Sequence, residues 1–122
     1  MEKAKILVVE DDRDNMDLIR FMMERQGYLI FEAYNGREGV EIARQEMPDL
    51  ILMDLAMPEM DGWTAAKTLK ADPATQHIKI VVLSVRSLME DRRKAAEAGV
   101  DAFVTKPMSM QHLAEVVEKY LD

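Results

Sequence analysis

Charged and hydroxyl side chains in this sequence lie where apolar runs end. Glu10 and Asp11 follow the first run, Asp54 ends a central run, Ser84 ends a later run, and Lys106 follows the last. Three carboxylates within about 5 Å would repel one another by about 3 kcal/mol per pair at an effective dielectric near 20, so their cluster calls for a cation. Oxygen ligands without Cys or His favour Mg²⁺, with Mn²⁺ as the alternative.

The remaining two groups suit a phosphoryl group. Lys106 offers a compact positive charge, and Ser84 offers a hydroxyl donor for an anionic oxygen. A carboxylate beside a metal can act as the nucleophile toward a phosphoryl donor and become an aspartyl phosphate. The metal and Lys106 together would neutralise charge on the transferring group. Asp54 is the candidate nucleophile because its strand is central, between the cation site and the two phosphoryl-binding groups.

The apolar runs that position these groups are predicted to be strands of a parallel sheet. Residues 6–9 and 50–53 are apolar without polar alternation, which is typical of strands covered by helices on both faces. Further strands are predicted at 28–33, 80–83 and 102–105, and helices at 14–26, 35–45, 63–71, 88–98 and from 109 to the end.

Two of these helices have N-terminal signals in the sequence. Asp14 is the expected N-cap of the first helix, and Asn35 with Glu38 fits a capping box for the second. The second helix is expected to bury an apolar face that extends to Met47.

Alternating strands and helices predict a three-layer α/β fold of the (βα)5 type. Consecutive parallel strands need crossover helices, which cover both faces of the sheet. In open sheets of this kind, ligands bind outside the carboxyl ends of the strands. The polar residues that end the apolar runs therefore define one candidate site.

Composition limits the classes of partner. The chain of 122 residues is one domain's length, and we expect a single domain over 1–122. A net charge of −7 argues against nucleic acid or an anionic membrane as a partner and leaves proteins. No apolar run approaches the length of about 20 residues that spans a bilayer. The absence of Cys is compatible with a reducing cytoplasm, where we expect the protein.

Taken together, the motifs resemble the receiver domain of two-component response regulators. The resemblance covers essentially the whole chain and depends on four blocks in order: the acidic pair within 8–11, the stretch 52–62, Ser84, and 105–107. Ser84 lies 30 residues after Asp54 and 22 before Lys106, a combination far more specific than any one block. The resemblance implies a flavodoxin-like fold with a five-stranded parallel sheet in the order 2-1-3-4-5.

The resemblance also implies the roles of the site residues. Asp54 would accept phosphate from a histidine kinase or a histidine phosphotransfer protein, and Ser84 and Lys106 would bind the phosphoryl oxygens. Mg²⁺ would be bound directly by Asp11 and Asp54, through water by Glu10, and by the backbone carbonyl of Ala56. The protein would be a signalling switch that assists its own phosphorylation and dephosphorylation, not an enzyme for an external substrate.

The family's switch is expected to involve Ser84 and Phe103. In the family, the hydroxyl residue moves toward the phosphate and an aromatic residue of the fifth strand turns inward. This movement links the site to the face of the fourth helix, fifth strand and fifth helix, which would bind a downstream protein. Phe103 has no hydroxyl, so its switch must depend on packing. Val85 is larger than usual for the family and is expected to slow phosphoryl exchange.

Several conspicuous residues have simpler interpretations. Asp12 fits a helix start better than a third metal ligand, and Asp61 fits turn chemistry. His77 and His112 are expected at the surface, and Trp63 is expected to pack at the head of the third helix. The basic run 92–94 lies among acidic residues, which indicates a solvated helical face.

Two other functions are compatible with such a fold. The chain can be a receiver-like interaction module that works without phosphorylation, or a phosphatase with an aspartyl-phosphate intermediate. Intact acidic, hydroxyl and lysine positions argue against the first. Ala56 argues against the second, because such enzymes use a second acid there. The chain would act alone as a shuttle or switch, or be a fragment of a longer protein.

Overall fold

Strands and helices alternate along the whole chain. The computed structural model describes residues 3–54, 62–84, 89–105 and 109–121. Each predicted element is present within about one residue of its expected bounds, a difference typical of helix and strand ends. The elements are β1 (Lys5–Val9), α1 (Arg13–Arg25), β2 (Leu29–Ala33), α2 (Gly36–Glu46), β3 (Leu50–Asp54), α3 (Gly62–Ala71), β4 (Lys79–Ser84), α4 (Met89–Ala98), β5 (Ala102–Thr105) and α5 (Met110–Leu121).

The five strands form one parallel sheet in the order β2-β1-β3-β4-β5, which confirms the expected fold class. In the register, Met53 lies beside Val9 of β1 on one side and Val82 of β4 on the other. Asp54 lies beside Leu83. The carboxyl ends of β1, β3 and β4 are therefore at one level, and the residues that follow them share one edge of the sheet.

Two apolar cores lie on opposite faces of the sheet. In β3, Ile51 and Met53 belong to the core under α2 and α3, whereas Leu50 and Leu52 belong to the core under α1 and α5. All five residues of β3 are buried. Burial of each Leu or Ile side chain contributes roughly 1.5 to 3 kcal/mol, so β3 is firmly held and Asp54 at its end is well fixed. Within the described ranges, no helix is both long and apolar enough to span a bilayer.

The first helix is capped by Asp12 rather than by Asp14. The Asp12 carboxylate accepts hydrogen bonds from the backbone N–H groups of Asp14 at 2.9 Å and Asn15 at 3.3 Å. Asp12 has the extended backbone that an N-cap requires, with φ −84° and ψ 119°. The prediction of Asp14 as the cap was wrong because the helix starts directly after the turn that follows β1. Asp14 lies in the first turn instead, where a negative charge is favourable.

The second helix begins as the sequence predicts and ends differently. Asn35 Oδ1 accepts a hydrogen bond from the backbone N–H of Glu38 at 2.8 Å. The Glu38 carboxylate accepts from the backbone N–H of Tyr34 at 3.0 Å, one residue before the cap. Met47 was expected on the buried face, but it is exposed, because as the C-cap it has a left-handed backbone with φ 48°.

A paired set of charges lies at the amino ends of β4 and β5. Lys70 Nζ lies 3.0 Å from Asp101 Oδ2 and donates to the backbone carbonyls of Ile78 at 2.6 Å and Gln76 at 3.1 Å. Asp101 Oδ2 also accepts from the backbone N–H of Ile80 at 2.8 Å. The two charged side chains are only 15% and 22% exposed. This Lys70–Asp101 network ties α3 to the starts of two strands.

Candidate metal and phosphoryl site

Three carboxylates meet at the carboxyl edge of the sheet, and we call them the acidic cluster. Glu10 and Asp11 follow β1, and Asp54 is the last residue of β3. Each side chain offers one ligand oxygen, and these oxygens all lie within 4.8 Å of one another. The structure therefore brings together the three acids that the sequence predicts to meet, although Asp54 is more than 40 residues from the other two.

Burial makes this cluster electrostatically costly. Glu10 is 1% exposed and Asp54 is 3% exposed, whereas Asp11 is exposed to solvent. At the distances within the cluster, two ionised carboxylates repel by about 3 kcal/mol at an effective dielectric near 20, and by less where the exposed Asp11 is one partner. The backbone N–H of Asp12 donates to Glu10 Oε2 at 3.1 Å and offsets part of this cost.

The donor set fits a hard divalent cation. All three side chains offer carboxylate oxygens, which suit Mg²⁺ and Mn²⁺ better than Zn²⁺. Mg²⁺ is typically held by one or two carboxylates together with several waters and a phosphate oxygen. Asp11 is exposed to solvent, so such water and phosphate ligands would reach the cluster from its side. Glu10, Asp11 and Asp54 are thus the described residues that could hold the ion.

Ser84 ends β4 at the same edge of the sheet. It is 6% exposed and pairs in register with Thr105, the last residue of β5. Because Leu83 lies beside Asp54, Ser84 is one residue further toward the carboxyl edge. Its position agrees with the expected phosphoryl-binding role, which stays a prediction.

Other predicted site residues lie outside the described part of the chain. These residues are Ala56, Val85 and Lys106. The carbonyl of Ala56 is predicted to bind the metal, Val85 to slow phosphoryl exchange, and Lys106 to bind the phosphoryl group. Asp61, interpreted as turn chemistry, lies there as well. The predictions for these four residues remain predictions.

The simpler interpretations agree with the described side chains. Asp12 is a helix cap, and His77 and His112 are exposed. Trp63 lies in the first turn of α3, as expected, but it also stacks against Phe103 of β5. The sequence does not indicate this contact, because 40 residues separate Trp63 from Phe103 and no local pattern links them.

A sequence profile of the response regulator receiver domain matches residues 6–118 of this chain. The chain belongs to the receiver domain family. This match confirms the resemblance that the motifs indicate, and the membership assigns the receiver to two-component signalling, where such domains act as switches.

Among curated proteins, the receiver is similar to the polar-differentiation response regulator DivK of Brucella anthropi. The two are 34% identical over 116 residues, which cover 95% of this chain and 94% of DivK.

Two solved structures show the same fold. The signal receiver domain of a histidine kinase from Syntrophus aciditrophicus has 36% identity and a TM-score of 0.90, with 97% of this chain and 89% of that chain covered. The receiver domain of the sensor histidine kinase PA1611 from Pseudomonas aeruginosa PAO1 has 28% identity and a TM-score of 0.90, with 98% of each chain covered. The latter structure contains a magnesium ion coordinated in its active site cleft.

Proposed function

We propose that this receiver accepts a phosphoryl group on Asp54, in an Mg²⁺-dependent transfer from a histidine kinase or a histidine phosphotransfer protein. Phosphorylation then changes the face formed by α4, β5 and α5, which binds a downstream protein. The observation that supports this proposal is the acidic cluster, in which the candidate nucleophile is buried within 4.8 Å of two other acids. The proposal treats 1–122 as one cytoplasmic receiver domain.

The acidic cluster is the proposed magnesium site. Asp11 and Asp54 would hold Mg²⁺ directly, Glu10 would hold it through water, and the carbonyl of Ala56 would complete the protein ligands. When bound, the ion supplies positive charge that offsets the negative charge of the acids and of the incoming phosphoryl group. The magnesium in the Pseudomonas aeruginosa relative supports this assignment.

Asp54 is the nucleophile of the transfer. One of its carboxylate oxygens forms the new bond to phosphorus, while the bond between phosphorus and the histidine nitrogen of the donor breaks. Asp54 is held at the end of a strand that is buried on both faces, so little orientational freedom remains to be lost on reaction. The chain's contribution is therefore mainly positioning and electrostatics.

Ser84 and Lys106 bind the oxygens of the phosphoryl group. The Ser84 hydroxyl donates a hydrogen bond to one oxygen, and the Lys106 ammonium compensates the charge of another. Ser84 is suited to this task because it is buried at the end of β4, beside the strand that carries Asp54.

Phosphorylation acts on the distant face by a shift of populations. The phosphoryl group carries about −1.5 to −2 charges where the Asp54 carboxylate carried a single one, and the arrangement that supplies donors to this charge becomes favoured. Ser84 moves toward the phosphate and Phe103 turns inward, and the face of α4, β5 and α5 changes with them. Because Phe103 lacks a hydroxyl, the change depends on packing.

The decisive experiment is intact-mass measurement after exposure to acetyl phosphate, with Mg²⁺ or with EDTA. We expect the mass of one added phosphoryl group with Mg²⁺, no addition with EDTA, and no addition to Asp54→Asn. Asp11→Asn should lower the rate at a fixed Mg²⁺ concentration by about tenfold or more, because it removes a direct ligand. Glu118→Gln removes an exposed carboxylate of α5 and should react like the wild type.

Each other outcome has a defined meaning. A phosphoryl adduct on Asp54→Asn would contradict the assignment of the nucleophile. No adduct and no response to beryllofluoride with Mg²⁺ would support a phosphorylation-independent interaction module. Sustained hydrolysis of a phosphate monoester, abolished by Asp54→Asn, would identify a phosphatase instead.

A further inference from the structure

Trp63 and Phe103 form an aromatic stack between α3 and β5. Their ring centroids are 6.5 Å apart, and the ring planes differ by 22°. Both side chains are partly buried and pack against the core under α2 and α3. Trp63 is the only tryptophan of the chain, so tryptophan fluorescence reports on the surroundings of this side chain.

The stack lies on the same face of the sheet as the hydroxyl of the candidate site. Phe103 pairs in register with Val82, and both contribute to the core beneath α3. Side chains two apart on a strand point to the same face, so Ser84 lies on the face of Val82. Ser84, Phe103 and Trp63 therefore share one side of the sheet, at its carboxyl half.

The helix side of the stack is also close to the site along the chain. Trp63 is the second residue of α3 and follows Asp54 by nine residues. Phe103 belongs to β5, an edge strand of the sheet, and its side chain is partly buried.

We propose that Trp63 is a positioning residue for Phe103, and that their stack couples occupancy of the site at Asp54 to the conformation of β5. This inference rests on the proposed function, because it concerns how the phosphorylated site is regulated and read. An aromatic pair at this separation contributes a small free energy. The stack is therefore weak enough to form or loosen when a charged ligand binds.

Coupling of this kind is reciprocal. If a ligand at Asp54 changes the equilibrium constant for formation of the stack by some factor, the presence of the stack changes the binding constant of that ligand by the same factor. Removal of the stack therefore changes the affinity. The sign is linked as well. A ligand that loosens the stack binds more tightly when the stack is removed, and a ligand that tightens the stack binds less tightly.

The first test uses Trp63 fluorescence with beryllofluoride and Mg²⁺ as the probe. We expect saturating probe to change the emission of the wild type. Phe103→Leu should change the probe-free emission and reduce the probe-dependent change by at least half. Phe31→Leu is the matched control, since Phe31 packs against the same core from β2 at the other edge of the sheet. An unaltered probe response in Phe103→Leu would overturn the proposal.

The second test measures the affinity for beryllofluoride by calorimetry. Trp63→Leu and Phe103→Leu should each shift the half-saturating concentration about two- to fivefold, and the double variant should shift it no further. A red shift of Trp63 emission on binding in the wild type indicates that the ring becomes more exposed and the stack loosens, so the variants should bind the probe more tightly. A blue shift indicates a tighter stack, so the variants should bind the probe more weakly. No shift in affinity, additive shifts or the opposite sign would contradict the coupling.

A merely structural role for Trp63 would give a different result. It would lower the urea midpoint of unfolding in Trp63→Leu and leave the affinity for the probe unchanged. If the wild type neither accepts phosphate from acetyl phosphate nor binds beryllofluoride, the proposed function and this inference both fail. If it does both and Trp63 does not respond, only the inference fails.

Discussion

The carboxyl edge of this sheet gathers like charges, whereas its amino end pairs opposite charges. At the carboxyl edge, Glu10, Asp11 and Asp54 place three like charges within 4.8 Å. At the amino ends of β4 and β5, Lys70 and Asp101 place opposite charges 3.0 Å apart and bind backbone groups with the same atoms. Glu10, Asp54, Lys70 and Asp101 are mostly removed from water, whereas Asp11 is exposed. The two sets therefore differ mainly in the sign of the charge interaction.

This difference separates a site from a structural contact. The Lys70–Asp101 network is internally compensated, and it joins α3, the start of β4 and the start of β5 without any ligand. The like charges of the acidic cluster repel one another, and a bound cation would offset that repulsion. A cluster that costs stability in the protein alone is typical of a functional site, and a compensated network is typical of the scaffold.

The largest effect on stability is expected at the compensated end. Lys70→Met keeps the aliphatic stem but removes the donor to two backbone carbonyls and leaves Asp101 with the more distant Lys79 Nζ at 4.0 Å. It should lower the free energy of unfolding by about 2 to 3 kcal/mol. Urea denaturation measures this change. Lys67→Met, one turn earlier on α3 and exposed, is the control and should change stability by less than about 0.5 kcal/mol. Equal effects of the two substitutions would show that the network contributes nothing.

An effect of opposite sign is expected at the carboxyl edge. Asp54→Asn removes one of the like charges and should raise the free energy of unfolding by about 1 to 2 kcal/mol in the presence of EDTA. Added salt should narrow the difference from the wild type, because salt screens repulsion at the exposed side of the cluster.

The control for this prediction is Glu118→Gln, which removes an exposed charge on α5. It should leave stability within about 0.5 kcal/mol of the wild type. If Asp54→Asn destabilised the protein instead, favourable contacts of Asp54 would outweigh repulsion, and the contrast between the two ends of the sheet would be lost.

The smallest effect is expected at Asp12, which borders the acidic cluster but caps α1. Asp12→Ala should cost about 1 kcal/mol of stability because the cap is lost, whereas Asp12→Asn should stay within about 0.5 kcal/mol because the amide oxygen still caps. Thermal unfolding at several Mg²⁺ concentrations also separates the two roles. Mg²⁺ should stabilise Asp12→Asn as it does the wild type, and should stabilise Asp11→Asn less. Loss of the Mg²⁺ effect in Asp12→Asn would make Asp12 a ligand.

Much of the fold was predictable because its signals are local. The uninterrupted apolar runs predicted the buried strands, and the helical segments between them predicted parallel pairing. The meeting of Glu10 and Asp11 with Asp54 was predictable for the same reason, since parallel strands bring their carboxyl ends to one edge. The family resemblance supplied the strand order, which the alternation of elements leaves open.

The failures of prediction have a different physical origin. Asp12 and Asp14 are both suitable N-caps by residue type, and only the backbone conformation after β1 decides between them. Met47 fits the apolar stripe of α2 by spacing, but the left-handed turn at the helix end directs it to solvent.

The sequence by itself therefore determined which residues form strands and helices, and which acids reach the carboxyl edge. Only the tertiary structure decided that Trp63 stacks on Phe103 and that Lys70 pairs with Asp101. Contacts between side chains so far apart in the chain depend on how each helix crosses the sheet and on the rotamers that fit between them. Hydrophobic periodicity indicates which face of a helix is buried, but it does not specify which side chain that face will meet.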